Sequence, residues 1–468
     1  MASIPRRRFL QQSAAVSLGF LGLRRAVADG PWTIDPFGYG PLRNDPAGLL
    51  DLPEHFHYRF LSLAGTPMDD GLLVPGRHDG MAAFPGPSGS TVLMRNQEIA
   101  HIHTSVHSPW GDDYAHWKTA DQHKCYDRGR GMFGHAIPCR GGVVRLTYDT
   151  RRQRVVNQHL ALAGTEYNCA GGVTPRRTWI SCEEYVIGPE HGAPWTKRHG
   201  YCFEVPVDGK GLCIPEPIVP MGRFRHEAVA VDPRTGIVYL TEDREDGVFY
   251  RYLPNHPDRL LEGGQLQALC LDGCDSADTR DWDAAMPLRR AIAESVHWID
   301  VEDVDSNDDT LRYQCYKNGA ARFARAEGCW MGTDEVWFAC TTGGRTKHGQ
   351  IMRYRPSRFE GTQGEVAHPG TLELFMQPDD PSVIENADNI TLAPWGDLIV
   401  CEDGPGSQHL LGVTAKGAVY RLARNAASKT EFAGACFSPD GSTLFVNLQK
   451  PGATIAITGP WRAGTASG

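Results

Sequence analysis

Long apolar runs are missing from this sequence. Beyond the N-terminal region no segment is long and apolar enough to cross a bilayer as a helix, so no stable membrane anchor is expected. An excess of basic residues is missing too. Lys and Arg number 47 against 56 Asp and Glu, a formal net charge of -9. A phosphate backbone needs a basic stripe, so nucleic acid is not expected as a partner. The thirteen cysteines contain no C-x-x-C pair, which argues against a zinc ribbon. No G-x-S-x-G is present, so no serine nucleophile elbow is expected. No G-x-G-x-x-G follows a strand and opens a helix, which argues against a dinucleotide-dependent oxidoreductase.

What is present begins at the N-terminus. Arg6-Arg7-Arg8-Phe9-Leu10 fits the twin-arginine export pattern of two arginines, any residue, then Phe-Leu. A modest apolar run over residues 14–23 follows, and then Ala26-Val27-Ala28, a small-residue cleavage site. Residues 1–28 therefore read as a signal peptide. The twin-arginine export machinery is the expected partner, and the expected destination is periplasmic or secreted. That compartment permits disulfides, and Cys270 and Cys274 could pair across a short loop, but an odd cysteine count leaves at least one thiol.

Glycine (52) and proline (32) are abundant, which suits tight turns rather than long helices. The clearest organisation is an internal repeat. From His226 an alternating apolar run (228–231) is followed by an Asp-Pro-x-x-Gly turn, a second run (237–240), the acids Glu242 and Asp243, and a third run (248–252). Period-two alternation between turn residues is the strand signal. The same unit recurs from Asn168, Glu327, Asp388 and Gly434, with a weaker copy from Gly80. Each small antiparallel sheet cannot bury its own faces, and six stacked around an axis make a propeller. The expected fold is all-β, a six-bladed β-propeller with loop insertions over residues 75–468, with residues 29–74 packing on it. Two β-sandwiches are the competing architecture. The acidic run at residues 300–309 reads as a solvated loop.

Aligned units share polar positions. Before the first strand come Asn168-Cys169, Arg225-His226-Glu227, Arg325-Ala326-Glu327 and Asp388-Asn389. After the second come Glu98, Glu183-Glu184, Glu242-Asp243 and Glu402-Asp403. In a propeller both sets converge on one channel mouth. So many acids cannot stay ionised together without countercharge. Bound cations supply it, calcium suiting the carboxylates and iron or zinc the thiolate. Within each doublet only one acid need point inward, because strand neighbours face opposite ways.

At these residues "NCAGGVTPxxTWxxCEE", "GRFRHEAVAVDPRTGxVYLTED", "ARFARAEG", "CEDG" and "GACFSPDGxTLFVN" resemble the PhoX-type alkaline phosphatase family. The resemblance implies a phosphomonoesterase with an iron-calcium cluster in the channel mouth of a six-bladed propeller. It implies Cys169 as iron ligand and Glu227 and Glu327 as cluster ligands. Glu98, Glu183 or Glu184, Asp388 and Glu402 are further candidates. Arg325 would hold phosphate, with Asn168 beside it as a substrate contact. His226 would orient phosphate or protonate the leaving group. The expected substrate is a small phosphate ester, the cofactors iron and calcium, and the state monomeric. Two alternatives are a calcium-dependent propeller lactonase or esterase and a non-catalytic metal-stabilised binding propeller.

Overall fold

A computed structural model describes residues 38–462 of the chain, except 112, 132, 193 and 284–287. The expected signal peptide lies outside the described residues. No described helix is long and apolar enough to cross a membrane.

The fold is all-β and propeller-like. The repeat units open with strands His78–Pro85, Asn168–Val173, His226–Val231, Ala326–Met331, Ala387–Leu392 and Phe432–Phe437. These six inner strands neighbour one another in chain order, and the last meets the first, so they close a ring around one axis. From each, antiparallel strands run outward by the turns the sequence marks. The expected six separate blades are nevertheless five sheets. Strand Ala293–Asp300 pairs with Gly264–Leu271 on one side and Thr371–Met376 on the other. It joins the units that begin at His226 and Ala326 into one nine-stranded sheet. The long insertion between these units therefore contributes strands rather than a loop alone. Its acidic run is tied down as well: Asp305 accepts from Arg198 and Tyr201, and Asp309 pairs with Arg244 and Arg312.

The N-terminal segment does more than pack on the surface. Strand Leu50–Pro53 extends the sheet of Ala387–Leu392, and His57–Leu63 completes the sheet of Phe432–Phe437. Early residues thus pair with the last strands and close the ring non-locally. In the unit from Asp388 the third strand is His409–Val413 and the fourth Val419–Asn425. The apolar faces of neighbouring sheets form the core. Phe249 stacks on Phe338 at 4.3 Å between the two joined units, and Trp179 and Phe203 are buried between the first two. All thirteen cysteines are thiols.

One irregularity repeats around the ring. Every inner strand shifts register near its start, in five between the first and fourth residues (His78/Met81, Asn168/Gly171, His226/Val229, Ala326/Cys329, Ala387/Ile390) and in the sixth between Ala433 and Cys436. A bulge re-aims the unpaired residues and sharpens the local twist. In five of the six strands the third residue is Gly or Ala (Gly80, Ala170, Ala228, Gly328 and Gly434, with Asn389 in the other), because the strands approach closely there. A Cβ on Gly328 would sit 2.5 Å from the Asp388 carbonyl oxygen, and one on Gly80 2.4 Å from the Ala170 Cα. Gly328→Val is expected to destabilise the protein by ~1–3 kcal/mol through overpacking against backbone. Thermal or urea unfolding beside wild type checks this, and an unchanged midpoint would refute the close-packed ring.

Candidate metal centre

The strand geometry sorts residues into layers. The residue just before each inner strand is half-buried: Arg77, Tyr167, Arg225, Arg325, Asn386 and Glu431. Four of these, Arg77, Tyr167, Arg325 and Asn386, have φ between 45° and 57°. Non-glycine residues held in that left-handed region cluster at functional sites. The first strand residue (His78, Asn168, His226, Ala326, Ala387, Phe432) pairs with the second strand. The next position carries Asp79, Cys169, Glu227, Glu327 and Asp388, with Ala433 in the sixth strand.

These second-position side chains form a continuous belt. Ligand atoms of Asp79, Glu98 and Cys169 lie within 4.8 Å of one another, as do those of Cys169, Glu184 and Glu227, of Glu227, Glu327 and Asp388, and of Asp388, Asp403 and Glu431. Cys169 Sγ is 3.9 Å from Asp79 Oδ1. Asp243 joins through a hydrogen bond with Glu184. Below the belt the axial space, lined by Gly80, Ala170, Ala228 and Gly328, is about 20 Å³. That is room for about one water, so ligands reach the acids from the mouth.

The electrostatics are those of a site lacking countercharge. Burial, with neighbouring carboxylates adding to it, pushes Asp79, Glu184, Glu227, Glu327, Asp388 and Glu431 well above the ordinary carboxylate range. Burial and the charges of Asp79 and Glu227 likewise push up the Cys169 thiol. The rim arginines answer only part of this. Arg77 pairs with Glu98 at 2.9 Å, Arg325 with Asp243 at 2.8 Å and Glu327 at 2.5 Å, and Arg225 lies 3.8 Å from Glu184. Both Glu227 oxygens are buried with no hydrogen-bond partner. A buried carboxylate without donors is costly, and a cation relieves that cost. The donor set of one thiolate among hard oxygens therefore fits a mixed group of ions, softer at Cys169 and harder elsewhere.

Of the residues anticipated from sequence, the structure brings Cys169, Glu227, Glu327, Glu184, Asp388, Glu98 and Arg325 together. Four others lie elsewhere, all for reasons of strand parity. Glu183 points away from the belt and accepts from the backbone of Glu166, Gly200 and Tyr201 and from His199. Glu402 accepts from the backbone of Glu385 and His409 and from the His409 ring. Each is the paired member of its doublet, opposite Asn168 and Ala387, while Glu184 and Asp403 follow one residue on. His226 sits in the first-residue layer. Its Nε2 bonds the Gly222 carbonyl, its ring stacks on Phe224, and burial lowers its pKa to about 4. Asn168 occupies the same layer, bonded to Thr165 and Ser181. Neither meets the belt, so the acid–base role expected of His226 and the substrate contact expected of Asn168 are not supported. Sequence reading missed Asp79 and Glu431 and passed over Asp243 and Asp403. Asp79 was findable, since His78-Asp79-Gly80 stands where Asn168-Cys169-Ala170 stands in the next unit.

The family model "Alkaline phosphatase PhoX" matches residues 37–452. The chain belongs to that family. Membership in the PhoX alkaline phosphatase family makes it a phosphomonoesterase. The structure of Pseudomonas fluorescens PhoX in complex with vanadate, a transition state analogue, is similar at 18% identity and a TM-score of 0.65, over 92% of this chain and 98% of that one. Two lactonases resemble the PhoX-family chain more distantly. A gluconolactonase of Xanthomonas campestris has 12% identity and a TM-score of 0.38, over 92% of this chain and 98% of that one. A periplasmic gluconolactonase of Pseudomonas aeruginosa has 12% identity and a TM-score of 0.39, over 84% and 89%. No curated protein matches the chain.

Two outcomes follow. Glu184→Gln should lower metal affinity by at least the ~10–100-fold that loss of a supporting partner costs. Glu183→Gln should leave the metal content of the belt unchanged and cost ~1–3 kcal/mol of stability, since its backbone donors lose a charged acceptor. Metal titration and urea unfolding of both variants separate these outcomes, and the reverse pattern would overturn the parity assignment. The second outcome concerns metal-stripped protein. Its belt acids have folded pKa values above their unfolded values, so the folded state binds more protons. Stability should then fall as pH rises from about 4 upward through the raised values. The melting temperature of stripped protein should be higher at pH 5 than at pH 8, and added cations should abolish that slope.

Proposed function

We propose that this chain hydrolyses phosphate monoesters at the belt, with an iron-class ion at Cys169 and calcium-class ions among the carboxylates. The observation that carries the reading is the Glu227 carboxylate, buried within a ring of further acids, with neither oxygen partnered. Asp79, Glu98, Glu184, Glu227, Glu327, Asp388, Asp403 and Glu431 would be the oxygen donors. When bound, the ions polarise phosphoryl oxygens and neutralise charge that develops on them.

The chain's own residues would bind and orient the ester. Arg325 is fixed by Asp243 through Nε and by Glu327 through Nη2, and among the described residues its Nη1 has no partner. A guanidinium locked in this way keeps its remaining donors for a phosphate oxygen without further loss of freedom. Arg77 and Arg225 stand at equivalent rim positions, so three cations ring the mouth where a dianionic ester would enter. They steer an anion toward a site whose acids alone would repel it. His226 is excluded from leaving-group protonation by its burial in the sheet. Six inner strands in one ring support reading the fold as six blades, two sharing an outer edge. Export by the twin-arginine route, read from residues 1–28, would carry the chain already folded, with its ions loaded before export.

The test is metal analysis and p-nitrophenyl phosphate hydrolysis on the same exported sample. Wild type should hold iron and calcium and turn over, and Cys169→Ser should lose both iron and turnover. Calcium without iron and no turnover in wild type would sink the proposal. Arg325→Ala should keep its metals and lose ~10²–10³-fold in kcat, the usual cost of a missing charge-stabilising donor, with Arg325→Lys recovering only part.

A further inference from the structure

A second group of donors lies outside the belt. Asp127 and Cys139 sit in the long insertion between strands Thr91–Gln97 and Gly141–Asp149, while Glu166 and His199 lie in the connections before Asn168–Val173 and Cys202–Pro206. All four residues are 0% exposed. Ligand atoms of Asp127, Cys139 and His199 lie within 4.8 Å of one another. His199 Nε2 is 3.2 Å from Asp127 Oδ2 and 3.9 Å from Cys139 Sγ. A tetrahedral zinc site separates nitrogen from oxygen by about 3.3 Å and from sulfur by about 3.5 Å. The opening is thus close to the size such an ion needs.

The surroundings are built like those of a bound metal. His199 Nδ1 lies 2.6 Å from Glu183 Oε1. A carboxylate on the far ring nitrogen fixes the tautomer that leaves Nε2 as donor to a metal, the usual support of a histidine ligand. Asp127 is locked by Thr196 and by the backbone of Gly129, Thr196 and Lys197. Glu166 gives the independent sign of a missing ligand. One of its oxygens accepts from the His101 backbone, the other, Oε2, is buried, and among the described residues the carboxylate's further donor is the Cys139 thiol, itself a candidate ligand. Its carboxylate lies beside the Cys139 thiol, whose pKa burial and the Glu166 charge both raise. Glu183 and Asp127 flank the His199 ring, one at each nitrogen.

We propose that Asp127, Cys139, His199 and Glu166 form a second metal site that takes one zinc-class divalent ion. A single thiolate, one imidazole and two carboxylates select that class over calcium or magnesium. The site is distinct from the belt but joined to it by the backbone, because Glu183 supports His199 and its neighbour Glu184 belongs to the belt. It clamps the insertion onto the first two sheets, and it stands whether or not the phosphatase mechanism above is correct.

The test needs no variant to begin. Crystals of wild type grown with zinc chloride, measured on both sides of the zinc absorption edge, should show an anomalous peak between Cys139 Sγ and His199 Nε2. A peak at the belt alone, or none, overturns the proposal and leaves His199 as a buried ion pair. In solution, Cys139→Ser and His199→Gln should each take up one equivalent of zinc fewer than wild type while leaving the belt's metal content unchanged. Zinc content equal to wild type in either folded variant would likewise refute the site.

Discussion

Mutual repulsion among buried carboxylates governs this molecule. Asp79, Glu184, Glu227, Glu327 and Asp388 sit on one belt, fully or almost fully removed from water. Such a set stays ionised only with countercharge, because each ionised acid raises the charging cost of the next. The rest of the architecture can be read as the means of holding them. Six inner strands closing on one axis bring residues far apart in sequence to a few ångströms. Small third residues in five of the strands let them approach, and left-handed residues before four of them, Arg77 and Arg325 included, shape the rim above the acids.

The bulge near the start of each inner strand turns a generic ring into a site. Without it, alternation would carry the acid and its neighbour to opposite faces in strict register with the second strand. With it, the second residue is freed from pairing and faces the axis. The parity of the partner strand does the complementary work. Glu183, Glu242 and Glu402 turn outward and bind loop backbone, while Glu184, Asp243 and Asp403 turn inward. Adjacent acids that look equivalent in sequence thus have opposite tasks, one holding the loop and one facing the ligand.

Much of this was legible beforehand. The repeat period, the turn chemistry and the recurrent acids gave strands such as His226–Val231 and Val238–Glu242 nearly to the residue. Cys169, Glu227, Glu327 and Asp388 were visible because each opens a repeat. His226 and Asn168 misled because a polar residue beside a ligand looks functional until its facing is known. The Asp127, Cys139 and His199 group was invisible, because nothing in three scattered positions shows that an insertion folds back over the second sheet.

The amino-acid sequence by itself determined the β architecture, the number of repeat units and the layer from which ligands come, because alternation and turn residues act locally. Only the tertiary structure decided which acid of each doublet faces the axis, how two units share an outer edge, and which distant residues meet. Those outcomes depend on register, bulges and ring closure, and each of these is a contact between strands rather than a property of any one of them.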